Sequence, residues 1–144
     1  GKWCMKPHKR RVAGSPEEWL VHATSDLRLA RVARRDREIL LEQVCFHAQQ
    51  ACEKSLKAVL MFKSLEFPLV HDLEVLLEIA EEGGLKLPRA VQQADVLSPY
   101  AVEARYPGGE EEVTSADADR AIRVAQAVVA WASTMIKGGA DAKR

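Results

Sequence analysis

A run of twenty-seven residues without glycine or proline, from Glu38 to Ser64, constrains the fold more than any other part of this sequence. Such a run is typical of a long helix, because glycine and proline are the residues that most disfavour helix interiors. At about 100° per residue, its apolar side chains fall on one side of the predicted helix. This apolar side consists of Leu41, Val44, Cys45, Ala48, Cys52, Leu56 and Val59. The long helix must therefore pack against other elements.

A polar arc, roughly 80° wide at this helical spacing, lies beside the apolar side. The arc consists of Gln43, His47, Gln50, Lys54 and Lys57. Most amphipathic helices have a polar face that simply contacts water. The arc alone therefore favours a solvated edge and names no reaction.

Capping residues predict a first helix from Ser15 to about Arg35. Ser15 is suited to the cap, Pro16 to the first helical position, and Glu18 falls three residues after the cap. Its outward side carries Arg28, Arg31, Arg34 and Arg35. These arginines are suited to nucleic acid, but such a run is more often a solvated face, and Asp26 is near enough to pair with part of it.

Two further helices are predicted after the long one. Asp72 is suited to the first turn of a helix that Gly83-Gly84 ends. His71 stands alone at that helix start, where a hydrogen bond to turn backbone is a more common role than catalysis. Pro88 opens a fourth helix to about Leu97, and Ser98-Pro99 must kink or break it because proline lacks the amide hydrogen.

The last helix begins at Thr114 or Ser115, with Asp117 placed as in a capping box, and Lys137-Gly138-Gly139 closes it. Four or five helices with short connections predict an all-α, antiparallel up-and-down bundle. Low aromatic content, 6%, with Ala, Leu and Val carrying the apolar surface, agrees with helices rather than a β-sandwich. We expect a helical domain over residues 15–137, between flexible tails at 1–14 and 138–144.

The formal charge is zero, but it is unevenly distributed. The first eleven residues hold five of the 21 basic residues and no acid, which leaves 16 basic and 21 acidic residues, a balance of −5. A basic segment can hold phosphates by counterion release, although a short basic terminus is more often a disordered end.

Cysteine and histidine spacing argues against a metal site. The three cysteines form no CxxC pair, and neither His47 nor His71 has a second ligand at helical spacing. Cys45 and Cys52 are expected as small core residues. Without a secretory segment, or an apolar run approaching about 18 residues, the chain is expected to be cytoplasmic, with no membrane contact and no cofactor.

Four motifs stand in an order and at gaps that resemble a known family. They are Trp19-Leu20 with Ala23, Asp26-Leu27 and Ala30; CFHAQQACEKSLKAVL at 45–60; His71-Asp72-Leu73; and Arg105-Tyr106-Pro107. From about Trp19 to Ile136 the sequence resembles the HEPN domain (higher eukaryotes and prokaryotes nucleotide-binding). The resemblance implies a bundle similar to the C-terminal domain of kanamycin nucleotidyltransferase, usually a homodimer. Small prokaryotic members are typically encoded beside a minimal nucleotidyltransferase, often as a toxin and antitoxin pair.

Many members of this family are metal-independent ribonucleases with an Arg-x(4–6)-His motif, and this chain departs from that pattern. None of its histidines, His8, His22, His47 and His71, has an arginine five, six or seven positions upstream. RNA cleavage needs a base for the 2′-hydroxyl and a cation for the phosphorane. Enzyme activity is therefore left open, with His47 as the candidate catalytic residue.

The resemblance also implies a site shared between the long helix and the segment before Gly108. Its residues are His47, Gln50, Glu53, Lys54, Lys57, Arg105 and Tyr106. The basic side chains are suited to phosphate, histidine and glutamine to hydrogen bonds, and tyrosine to stacking on a base. Glu53 is suited to orient Lys54 or Arg105. The function expected is a nucleotide- or RNA-binding partner of a small nucleotidyltransferase; a dimer seam without its own ligand is the alternative.

Overall fold

The computed structural model of the protein describes residues 13–101 and 112–142, with side chains through residue 138. The α-helices in these ranges are α1 (Pro16–Arg34), α2 (Leu41–Phe62), α3 (Leu73–Glu82), α4 (Arg89–Gln92) and α5 (Ser115–Ala142). A 3₁₀ helix, Gln93–Ala101, continues directly from α4. No strand occurs within the described ranges. The predicted all-α class is confirmed.

Helix α1 begins as its sequence predicts. Ser15 Oγ accepts a hydrogen bond from the backbone N–H of Glu18 at 3.1 Å. Pro16 occupies the first turn, where a backbone N–H would have no partner within the helix. The buried side of α1 consists of Leu20, Ala23, Leu27, Ala30 and Ala33. This side packs against α2 and α5.

Helix α2 is the central element, because α1, α5 and the 3₁₀ helix all pack on it. It starts at Leu41 and not at the predicted Glu38. The side chain of Asp36 accepts a hydrogen bond from the backbone N–H of Glu38 at 2.9 Å, and this local turn delays the helix. Cys45 and Cys52 are fully buried, as expected.

Helix α3 is short and defined at both ends. The side chain of Asp72 accepts a hydrogen bond from the backbone N–H of Glu74 at 2.9 Å. After Glu82 the chain turns through Gly84, whose φ of +91° is readily adopted only by glycine. The predicted start and end of this helix are confirmed.

The segment after Pro88 differs from its prediction. Helix α4 makes a single turn and then tightens into the 3₁₀ helix, which runs through Pro99 without breaking at Ser98. The φ that proline imposes, about −65°, is compatible with 3₁₀ geometry. Ser98 Oγ also accepts a hydrogen bond from the backbone N–H of Leu73 at 3.2 Å, which joins this segment to the start of α3.

Helix α5 opens with the predicted capping box. Thr114 N donates to Asp117 Oδ2 at 2.9 Å, and Asp117 N donates to Thr114 Oγ1 at 3.1 Å. The prediction that Gly138 and Gly139 end the helix is wrong, since α5 continues to Ala142. Gly138 does not adopt a positive φ, and a glycine in a helix interior costs only about 1 kcal/mol. Within the described ranges, every helix is too short or too polar to span a lipid bilayer.

Helix α1 runs antiparallel to both α2 and α5. Leu20, near the start of α1, shares a core cluster with Val59 and Ile136, which lie near the ends of α2 and α5. At the opposite end, Arg34 Nε lies 2.7 Å from Asp119 Oδ1. Helices α2 and α5 are therefore parallel to each other, and α1 lies against both.

Candidate functional site

The polar side of α2 contacts two other elements, and its charged groups form two clusters. One cluster joins α2 to α1 and consists of Asp26, His47 and Lys54. We call it the Asp26 cluster. The other joins α2 to the residue before the cap of α3 and consists of Gln49, Glu53, Lys57 and His71. We call it the Glu53 cluster.

The Asp26 cluster is built around one carboxylate. Asp26 Oδ1 lies 3.1 Å from His47 Nδ1, and Asp26 Oδ2 lies 2.6 Å from Lys54 Nζ. His47 and Lys54 are seven residues apart, two turns of α2, so their side chains point the same way. The side chains of Asp26, His47 and Lys54 are 14%, 24% and 26% exposed. All three groups are therefore within reach of a ligand in solution.

This geometry determines which atoms remain available for binding. An ionised carboxylate can only accept hydrogen bonds, so Nδ1 of His47 carries the proton in the bond to Asp26. In a neutral imidazole, Nε2 is then the acceptor. A lysine ammonium has three donors, and Asp26 takes one of those on Lys54. The Asp26 cluster thus offers an oriented imidazole and a partly used cation.

The Glu53 cluster has a similar composition but a buried centre. Glu53 accepts hydrogen bonds from Gln49 Nε2 at 3.1 Å, Lys57 Nζ at 3.0 Å and His71 Nδ1 at 3.1 Å. The side chains of Glu53 and Lys57 are 5% and 6% exposed, whereas that of His71 is 72% exposed. Gln49 Nε2 also donates to the backbone oxygen of His71 at 3.3 Å. This cluster therefore attaches the segment before α3 to the middle of α2.

The environment of Glu53 contains opposing effects on its pKa. Burial raises the pKa of Glu53, but the hydrogen bonds from Gln49, Lys57 and His71, together with the charge of Lys57, outweigh burial. The pKa of Glu53 therefore lies below its ordinary value, and the carboxylate stays ionised at neutral pH. The ionised form matches the buried ammonium of Lys57 beside it.

Two amide side chains of α2 extend the Glu53 cluster to Gln50. Gln50 Nε2 donates to Gln49 Oε1 at 2.7 Å, and Gln49 Nε2 donates to Glu53 Oε1 at 3.1 Å. Gln50 is partly exposed, while Gln49 is fully buried. The predicted site residue Gln50 therefore holds its buried neighbour in place with one amide hydrogen and keeps the other available.

The structure corrects two interpretations of the polar arc. The interpretation of the arc as a solvated edge is wrong at Lys57, because its ammonium is buried against Glu53. The carboxylate that binds Lys54 belongs to Asp26 and not to Glu53. The two remaining predicted site residues, Arg105 and Tyr106, lie outside the described residues.

Sequence reasoning missed Asp26, Gln49 and His71 as parts of the site. Asp26 was expected to pair with the arginines of α1, but its carboxylate contacts His47 and Lys54 on α2. The ring of His71 binds a glutamate side chain and not the turn backbone. Asp26 and His71 both lie within the motifs that resemble the HEPN domain. Their place in these motifs was the signal in the sequence that could have identified them as site residues.

No group of three or more histidine, cysteine, aspartate or glutamate side chains within residues 13–101 and 112–138 is placed to hold a metal ion. Each cluster contains one carboxylate, one imidazole and one lysine. A lysine ammonium has no lone pair to offer a metal and is suited instead to anions. The Asp26 cluster therefore has the composition of an anion-binding site.

These observations define a class of domain, an all-helical bundle with a polar site on its central helix. The profile of the HEPN domain matches residues 16–135. The chain therefore belongs to the HEPN domain family. Family membership supports a nucleotide- or RNA-related function at the level of the family.

Two solved structures resemble this bundle. The crystal structure of an archaeal HEPN homologue is 27% identical, covers 86% of this chain and 99% of its own, and gives a TM-score of 0.67. The crystal structure of a protein from Thermus thermophilus is also 27% identical, covers 83% of this chain and 97% of its own, and gives a TM-score of 0.70. No curated protein sequence matches the chain.

Proposed function

We propose that this HEPN domain binds a nucleotide or an RNA through the Asp26 cluster. The observation that carries the proposal is the convergence of His47 and Lys54 on one carboxylate, with all three side chains partly exposed. Asp26 holds the imidazole and the ammonium in place, so less side-chain freedom is lost when a phosphate binds.

A phosphate would use the donors that Asp26 leaves available. Lys54 retains two N–H groups, and Nε2 of His47 is directed away from Asp26. Hydrogen bonds between a lysine ammonium and phosphate are stronger than neutral ones. Arg105 and Tyr106 are proposed to complete the site with a second cation and a stacking ring.

The proposed phosphate site excludes Lys57. Its ammonium is buried and already bonded to Glu53, so a ligand in solution cannot reach it. Removing Lys57 from Glu53 would leave a buried carboxylate without its cation, which is strongly unfavourable. The Glu53 cluster therefore supports the shape of the site and does not bind the ligand.

We test this proposal by titrating the purified protein with ATP and with short single-stranded RNA. Lys54→Ala should weaken binding by about tenfold to a hundredfold, the range expected for loss of a charge-assisted hydrogen bond. Arg105→Ala should also weaken binding. Lys86→Ala is the matched control, because Lys86 is an exposed lysine outside the cluster. Equal affinity in all four proteins would refute the proposal.

The same variants address the alternative of a dimer seam without a ligand. If Lys54→Glu gives a monomer in sedimentation while ATP and RNA fail to bind the wild-type protein, then the polar face joins two copies. If the charge reversal leaves the oligomeric state unchanged and abolishes ligand binding, the ligand site is supported.

We also propose that the domain is a homodimer and the partner of a small nucleotidyltransferase, in a pair of the toxin and antitoxin type. The resemblance of the four motifs to small prokaryotic HEPN proteins supports this partner. Purification of the native complex followed by mass spectrometry should identify a nucleotidyltransferase polypeptide at a fixed stoichiometry. Recovery of the domain without such a polypeptide would contradict the partnership and leave the ligand proposal standing.

A second candidate function is metal-independent RNA cleavage, and the bond between Asp26 and His47 favours it. A carboxylate that holds Nδ1 leaves Nε2 of the imidazole to accept a proton from a 2′-hydroxyl, with Lys54 beside the phosphate. Incubation with RNA in EDTA should then give fragments that are absent with His47→Ala. Identical products from both proteins would exclude His47 as the base.

A further inference from the structure

A cavity of about 230 Å³ adjoins the Asp26 cluster at the start of α1. It is lined by Ala13, Gly14, Glu18, Trp19, His22 and Lys54. Lys54 belongs to both places, because its side chain lines the cavity while its Nζ binds Asp26 at 2.6 Å. The cavity and the proposed phosphate site are therefore continuous.

The indole ring of Trp19 is held in position at this cavity. Its Nε1–H donates to the backbone oxygen of Ala13 at 2.8 Å. The ring is partly buried and also packs against the core cluster that contains Leu20 and Ile136. With its N–H bonded and its ring packed on the core, the indole is fixed in position where it lines the cavity.

Gly14 allows the backbone to approach this ring closely. Its φ is +96°, and a Cβ added to it would lie only 3.2 Å from Trp19 Nε1. A larger residue would be strained in this conformation and would press on the indole. The segment before α1 therefore forms a wall of the cavity because glycine occupies this position.

Two other lining residues, Glu18 and His22, lie on α1 in the same row as Asp26. These three residues are spaced by four positions, so they follow one another along the same side of the helix. Glu18 and His22 are exposed. Their side chains supply hydrogen-bonding groups beside the aromatic ring and lead toward the Asp26 cluster.

We propose that this cavity is a nucleobase subsite, in which an unpaired base stacks on Trp19 while its phosphate contacts Lys54 and His47. This inference rests on the proposed function and specifies the ligand as a free nucleotide or an unpaired nucleotide of RNA. The volume is below the roughly 300–1,000 Å³ of pockets that hold drug-sized ligands, so it suits one base and not a whole nucleotide. A base within a duplex is stacked on its neighbours and does not present its face to an indole.

The test separates the base from the phosphate. Wild-type protein is titrated with AMP, adenosine and ribose 5-phosphate by calorimetry, alongside Trp19→Phe and Trp19→Leu. Base stacking predicts that Trp19→Leu weakens AMP and adenosine binding by roughly 5- to 150-fold, while Trp19→Phe keeps most of the affinity. Affinity for ribose 5-phosphate should be equal in all three proteins.

A fluorescence measurement checks the position of the base directly. The chain has three tryptophans, at positions 3, 19 and 131. In Trp3→Phe/Trp131→Phe, the emission comes from Trp19 alone and should be quenched by AMP but not by ribose 5-phosphate. Circular dichroism melts of each variant show whether the helical fold is kept.

The outcomes distinguish the subsite from the proposed function. If Trp19→Leu binds AMP as tightly as wild type while Lys54→Ala does not, the phosphate site stands and the base subsite is wrong. If wild-type protein binds neither AMP nor RNA, the proposed function itself fails. Trp19→Phe losing affinity as fully as Trp19→Leu would also overturn stacking, because phenylalanine keeps an aromatic face.

Discussion

The Asp26 and Glu53 clusters contain the same three kinds of ionisable side chain, yet water reaches them differently. In each cluster, one carboxylate contacts a histidine Nδ1 and a lysine Nζ. In the Asp26 cluster all three side chains are partly exposed. In the Glu53 cluster the lysine and carboxylate are buried, and only the imidazole of His71 is well exposed.

This difference decides which lysine is available to a ligand. The Asp26–Lys54 pair is only partly buried and remains in contact with water, so a phosphate can compete for Lys54 at a smaller cost than for a buried lysine. The buried pair is much more costly to open, because Lys57 would lose its carboxylate and Glu53 would lose its cation while both remain away from water. One cluster is therefore suited to binding and the other to holding the bundle together.

The largest expected effect is on stability. Glu53→Ala should lower the free energy of unfolding by about 3–5 kcal/mol, since it leaves Lys57 buried without its carboxylate. Asp26→Ala should cost less, about 1.5–3 kcal/mol, because its partners His47 and Lys54 remain in contact with water. Urea unfolding followed by circular dichroism measures both. Equal losses would show that the two clusters do not differ as their burial indicates.

A double variant sharpens this first prediction. Replacing the buried pair by apolar side chains, Glu53→Leu/Lys57→Met, should recover much of the stability that Glu53→Ala loses, because no buried charge remains. A double variant as unstable as Glu53→Ala would assign the loss to packing or to the bonds from Gln49 and His71.

The next largest effect is on ligand affinity, which should depend on Lys54 and not on Lys57. Lys54→Met should weaken ATP or RNA binding by about tenfold or more. Lys57→Met should leave the affinity of the folded protein unchanged, because the ammonium of Lys57 does not reach solvent. Calorimetric titration below the melting temperature of each variant measures this. A loss of affinity in Lys57→Met alone would reverse the assignment of roles.

Lowering the pH should remove the stabilisation that the Glu53 cluster gives to the fold. Since the pKa of Glu53 is lower in the folded than in the unfolded protein, its stabilisation is complete above the unfolded value of about 4.3. That stabilisation is lost as the pH falls through the lower folded-state value. Melting temperatures measured from pH 6 to 3 should fall less steeply for Glu53→Gln than for wild type. Parallel curves would contradict the depressed pKa.

The smallest effect is expected at His71. His71→Ala removes one of the three hydrogen-bond donors to Glu53, but most of this ring is already in water, so the cost should be about 1 kcal/mol. Urea unfolding measures the change, with His22→Ala as an exposed histidine control. A loss as large as that of Glu53→Ala would mean that His71 is essential to the buried pair.

Local signals in the sequence were sufficient for most of the helices. Ser15 and the Thr114–Asp117 pair form the caps that their spacing predicts, because a capping bond joins residues only two or three positions apart. The errors include the start of α2, which a local turn at Asp36 delays. In addition, Gly138 continues α5, and Pro99 lies within a 3₁₀ helix.

The site was predicted only in part, for a physical reason. The spacing along α2 placed His47 and Lys54 on one side of a helix, and this is confirmed. Their common partner, Asp26, comes from 21 and 28 residues earlier in the chain, and helical spacing carries no information across that separation.

What the sequence by itself determined is therefore the helical class, the family and the polar side of α2, since these depend on local spacing and on motifs. What only the tertiary structure decided is which polar residues water reaches. Lys54 and Lys57 are three residues apart on the same arc, yet one is partly exposed beside Asp26 and the other is buried against Glu53. That distinction depends on how α1 and the segment before α3 pack on α2, because burial is a property of the assembled bundle and not of any one helix.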